Sequence, residues 1–109
     1  MKKSNSEAIN QLKELVQSGD TLHCQLDKVS RSGMTRHIRV RQLLPKKNSD
    51  REVDTMDISY LIAQILGYKL TTTGSLKVRG AGMDMGFHVV YSISSVLFGD
   101  GYALKHQWL

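Results

Sequence analysis

Apolar side chains recur every three or four positions near the start of the chain. Ala8, Ile9, Leu12, Leu15 and Val16 lie on one side, and Gln11, Lys13 and Glu14 on the other, which predicts an amphipathic helix over 6–17. Ser4 or Ser6 is placed to cap it, and Gly19 to end it. The period then changes from 3.6 to 2. Over 21–29, Leu22, Cys24 and Leu26 alternate with His23, Gln25 and Asp27, the pattern of a half-buried strand. Over 36–43, Ile38 and Val40 alternate with His37, Arg39 and Arg41. Ser30–Thr35 lies between them, with Gly33 able to take the positive φ of a tight turn, so the two runs predict a β-hairpin ended by Pro45.

The polar stretch Lys46–Arg51 reads as an exposed loop. A second helix is predicted over 58–66, with Asp57 or Thr55 as its N-cap and Gly67 just past its end. Its apolar stripe is Ile58, Leu61, Ile62, Ile65 and Leu66. Two short strands, 68–70 and 76–78, flank the turn-forming Thr72–Ser75. A third helix is predicted over 86–97, broken by Gly99-Asp100-Gly101. The segment after it, through Trp108 and Leu109, is apolar enough to pack or pair. The order α-β-β-α-β-β-α predicts an α+β domain over 1–109: an antiparallel sheet with helices packed on one face.

Composition narrows the class. The chain has 109 residues, enough to bury a core without disulfides or a structural metal. Its one cysteine, Cys24, is expected to be a reduced core residue. No run approaches a membrane span, and no apolar stretch follows the basic N-terminus, so neither a spanning helix nor a signal peptide is expected. No Cys/His cluster has zinc spacing, and neither metal nor cofactor is expected. The net charge of +5 points to anionic partners.

That charge is unevenly placed. Lys28, Arg31, Arg36, Arg39, Arg41, Lys46 and Lys47 fall within twenty residues that hold no acid. Strand alternation puts Arg39 and Arg41 on one face with His37, while Arg31 and Arg36 flank the turn. Guanidinium groups suit phosphate because they donate two parallel hydrogen bonds. The same charges would also serve as a solvated sheet face, partly neutralised by Asp50, Glu52, Asp54 and Asp57.

A second candidate is the run from Arg79 to Gly86, between a strand and a helix. A glycine-rich turn feeding a helix offers free N–H groups and a favourable dipole to an anion. Its glycine spacing matches neither a dinucleotide fingerprint nor a P-loop. Asp84 is placed to cap the helix, where its charge would compete with a phosphate, and Met83 and Met85 would equally pack inward. Asp84 and His88 stand at i, i+4, with His106 as the one further ligand a metal or acid–base site could recruit. A capping aspartate beside a surface histidine explains that spacing more simply. No nucleophile or carboxylate pair has a catalytic arrangement, so an enzyme is not expected.

Three blocks, Ser30–Arg36, Gly82–His88 and Gly101–Leu109, resemble a set of small proteins encoded by phages and prophages. The resemblance implies action in the cytoplasm of an infected bacterium. It also suggests a counter-defence factor, of which one class sequesters nucleotide immune signals. Combined with the residue chemistry, the first expectation is a non-enzymatic binder of a phosphorylated nucleotide-type ligand. Arg31, Arg36 and Arg79 would clamp it, with Gly82, Met83, Asp84, Gly86 and His88 forming the cradle. A homo-oligomer joined through the apolar C-terminal segment is expected with it. The alternative is a nucleic-acid binder, or an inhibitor of a nucleic-acid-handling enzyme, using Arg39, Arg41, Lys46 and Lys47.

Overall fold

A computed structural model describes residues 5–45, 53–80, 84–101 and 103–109. The elements are α1 (Asn5–Leu15), β1 (Thr21–Val29), β2 (Thr35–Pro45), β3 (Val53–Asp57), α2 (Ser59–Leu66), β4 (Lys69–Leu70), β5 (Leu76–Arg79), α3 (Met85–Phe98) and β6 (Lys105–Trp108). This is the α+β class expected. The hairpin is present, with Gly33 at φ +77°, and Gly67 ends α2 in the left-handed conformation.

The sheet departs from expectation in two respects. It is mixed, in the order β4-β5-β2-β1-β6, because β6 runs parallel to β1, pairing Thr21 with Lys105 and Cys24 with Trp108. The reason is the return from α3. Ser94 Oγ, buried, accepts hydrogen bonds from the N–H groups of Ala103 and Leu104 and swings the chain back to the start of β1. The second departure is β3, in a stretch for which the sequence predicts no element, only Thr55 and Asp57 as N-cap candidates. It pairs antiparallel with the far half of β2, from Arg41–Asp57 to Pro45–Val53. The helix cap also differs: Ile58 is the N-cap of α2 without a side-chain bond, while Asp57 Oδ1 accepts from Ser59 N–H.

One edge of β2 is thus shared. β5 pairs with residues 35–38 and β3 with 41–45, which leaves Val40 between them. Ser59 fills the gap: its hydroxyl accepts from Val40 N–H (2.8 Å) and donates to Val40 C=O (3.2 Å). An unpaired buried backbone group is costly, so this serine secures the junction of sheet and α2.

Register sorts the side chains by face. Leu22, Cys24, Ile38, Val40, Leu76 and Val78 are buried beneath the helices. They join Ala8, Leu12, Ile58, Leu61, Ile62, Val89, Val90, Ile93 and Leu97 in one apolar cluster. Burying each large aliphatic side chain contributes about 1.5–3 kcal/mol. The alternate positions face away from the helices, and no element covers them among the described residues.

Candidate anion-binding face

The uncovered face carries most of the candidate chemistry. Antiparallel pairing sets Lys28 opposite His37, His37 opposite Lys77, and Lys77 opposite Lys69. A β-bulge between Leu26 and Lys28 brings Lys28 into this row. Strands lie about 4.8 Å apart, so the four side chains cross β1, β2, β5 and β4 over about 14 Å. The three lysines are exposed and form no ion pair with the described residues. Like charges directly opposite on a sheet are destabilising, so the row costs stability. Beside it, Lys28, Ser30, Arg31, Thr35, His37 and Lys77 line a depression of about 570 Å³. Arg79 pairs with Thr35 one step along and is also exposed.

Arg39, on the same face, has a different role. Its Nη1 donates to Asp57 Oδ2 (3.0 Å), its Nε to Asp27 Oδ2 (3.3 Å), and its Nη2 to Thr73 C=O. Asp27 also accepts from Ser75 Oγ. This arginine therefore links β1, β3 and the β4–β5 turn, and its charge is answered within the chain. Arg41 pairs in register with Asp57 and borders a depression of about 460 Å³ shared with Lys28, His37 and Arg39.

The start of α3 is likewise answered internally. Asp84 is the N-cap: Oδ1 accepts from Phe87 N–H (3.0 Å) and from Trp108 Nε1–H (3.2 Å), and Oδ2 lies 2.9 Å from His106 Nε2. Partial burial raises the Asp84 pKa. The His106 bond, the Phe87 N–H, the His106 charge and the Trp108 bond outweigh that and hold it below the usual carboxylate value. The Asp84 carboxylate is thus given to His106 rather than to His88, whose ring meets the edge of Phe87 at 5.8 Å. Gly86 is buried, and a Cβ there would lie 2.7 Å from the Trp108 ring and 3.2 Å from Cys24 Sγ. The glycine is required by this close approach of the C-terminal strand. Burial, then the Asp84 charge, push the Cys24 thiol up to about 12, where it is unreactive.

The expected clamp is divided. Arg36 faces the helices, opposite Val78, and its Nη1 donates to Gly80 C=O (2.8 Å). Leu26, Arg36, Asp84, Met85 and Trp108 line a notch of about 180 Å³. Arg79, Gly80, Met85 and His88 border a neighbouring cleft of about 290 Å³. Arg31 lies apart, on the uncovered face. Gly82, Met83, Lys46 and Lys47 fall outside the described residues. Lys69 and Lys77 were missed by sequence reasoning, because no local motif marks them; only cross-strand register brings them to Lys28. Trp108 and Leu109 are exposed beside the sheet-edge strand β6.

Among the described residues, no three His, Cys, Asp or Glu side chains gather as a metal site, and no helix is long and apolar enough to cross a membrane. No family model matches the chain, and neither a curated protein nor a solved structure is significantly similar to it.

Proposed function

We propose that this chain is a non-enzymatic binder of phosphorylated, nucleotide-type ligands, and that the uncovered sheet face is its contact surface. The observation that carries the reading is the row Lys28–His37–Lys77–Lys69: three lysines without an ion-pair partner among the described residues, held in register at a cost to stability. A phosphate-bearing ligand supplies the counter-charge that the described residues do not. The phage resemblance would set this binding in an infected bacterium, where sequestering a nucleotide signal or masking a nucleic acid would counter a defence.

A second reading places a small nucleotide in the notch between Arg36 and Trp108. It is favoured by the convergence there of an arginine, an exposed indole and two apolar side chains. Its volume of about 180 Å³ is small against the roughly 300–1,000 Å³ of ordinary ligand pockets.

A thermal-shift panel tests both. Linear polyphosphate, duplex DNA, single-stranded RNA and cyclic di- and trinucleotides are added to the protein and to a K28Q/K69Q/K77Q variant. Polyanions should raise the wild-type Tm by mass action and leave the variant unmoved. A cyclic nucleotide that stabilises both proteins equally supports the notch instead. No stabilisation by any phosphorylated ligand overturns both readings.

A further inference from the structure

Resting on that reading of the uncovered face, we infer that its ligand is duplex nucleic acid, held by its phosphate backbone without sequence discrimination. Proteins that hold single strands combine a basic track with aromatic rings on which bases stack. Among the described residues, this face presents no Phe, Tyr or Trp. Trp108 registers with Cys24 on the helix side, Tyr68 lines the cleft with Val78, and Phe87 stacks on Tyr91 along α3. Among the described residues, an unstacked base would find only the His37 ring and arginine side chains there, not the Phe, Tyr or Trp platforms that single-strand binders use.

The shape argues the same way. The row crosses four adjacent strands, and among the described residues the acids beside it, Asp27 and Asp57, are occupied by Arg39. Its span of about 14 Å sets the end lysines wide enough to reach phosphates on both strands flanking a minor groove about 6 Å across. Lysine serves this purpose as a point charge that needs no fixed base geometry. Contacts confined to the phosphate backbone draw their affinity from counterion release and depend steeply on salt.

The test is fluorescence anisotropy between 50 and 200 mM salt with four probes: a mixed-sequence duplex, a second unrelated duplex, one of the single strands, and linear polyphosphate. The duplex is expected to bind at least tenfold tighter than its single strand, and the two duplexes within twofold of each other. For the duplex, removing Lys28, Lys69 and Lys77 together should flatten the slope of log K against log salt by about 0.9 per lysine. Lys13→Gln, an exposed lysine on α1, should leave the slope unchanged. Single strand bound as tightly as duplex overturns this inference while leaving the proposed function standing. A duplex slope unchanged in the triple variant overturns it too, by placing the contact elsewhere. Failure of every probe, polyphosphate included, overturns the proposed function itself.

Discussion

The start of α3 and the lysine row across the sheet make opposite uses of charge. At α3, a glycine-rich turn meets a helix N-terminus, the arrangement that most resembles an anion site in a sequence. There the chain provides its own anion: Asp84 takes the Phe87 N–H, His106 and Trp108. Across the sheet, Lys28, Lys77 and Lys69 belong to no motif, yet they stand in one row with no ion-pair partner among the described residues. Arg39, a few ångströms away, sides with α3, since two carboxylates and a carbonyl enclose it. A basic residue therefore marks a binding surface only after its partners within the fold have been subtracted.

The sharpest way to break this comparison is Arg39→Ala. It strands Asp27 and Asp57 beside each other, and should lower stability by about 2–3 kcal/mol, read as a shift of the urea midpoint. A normal midpoint with lost polyanion binding would put Arg39 among the ligand contacts after all. Gly86→Ala comes next. Its Cβ must displace the Trp108 ring, at a cost of about 1–3 kcal/mol. Trp108 is the one tryptophan in the chain, so its emission should report the displacement.

Asp84→Asn should cost about 1 kcal/mol at neutral pH, because it weakens the cap and the tie to the C-terminal strand together. The folded-state pKa of Asp84 is lowered, so its contribution is complete above the ordinary carboxylate value and is lost as pH falls through the folded one. The gap between wild-type and variant urea midpoints should therefore narrow in acid. The smallest effect is Lys77→Gln. It should leave stability unchanged or raise it by a few tenths of a kcal/mol at low salt, and the gain should vanish at high salt. A clear loss would mean that Lys77 is structural.

Much of the fold was legible in the chain. The hairpin, the three helices and the cap by Asp84 follow from periodicity and from Gly33, Gly67 and Asp84 themselves. β3 was hidden because its apolar residues, Val53 and Met56, do not alternate at period 2, whereas its pairing depends on a partner edge left open by the shortness of β5. Parallel pairing of β6 was hidden because direction is set by the bonds from Ser94 to Ala103 and Leu104, not by local pattern. The candidate site was half legible. Sequence concentrates charge in the hairpin, and His37 and Arg41 were correctly placed on one face. It could not show that Lys69 and Lys77, 30 to 50 residues further on, complete the row, or that Arg39 is withdrawn from it.

The Arg39 tie has one more consequence. By fastening β1, β3 and the β4–β5 turn at once, it fixes the spacing of the strands on which the lysines stand. The row then acts as a ruler whose lysines stand two strands and one strand apart, about 10 and 5 Å, set before any ligand arrives. Phosphates whose repeat matches that scale meet charges already in place, and binding them needs no reordering of the sheet. Loosening the tie should therefore blur the distinction between ligands before it abolishes attraction to any of them.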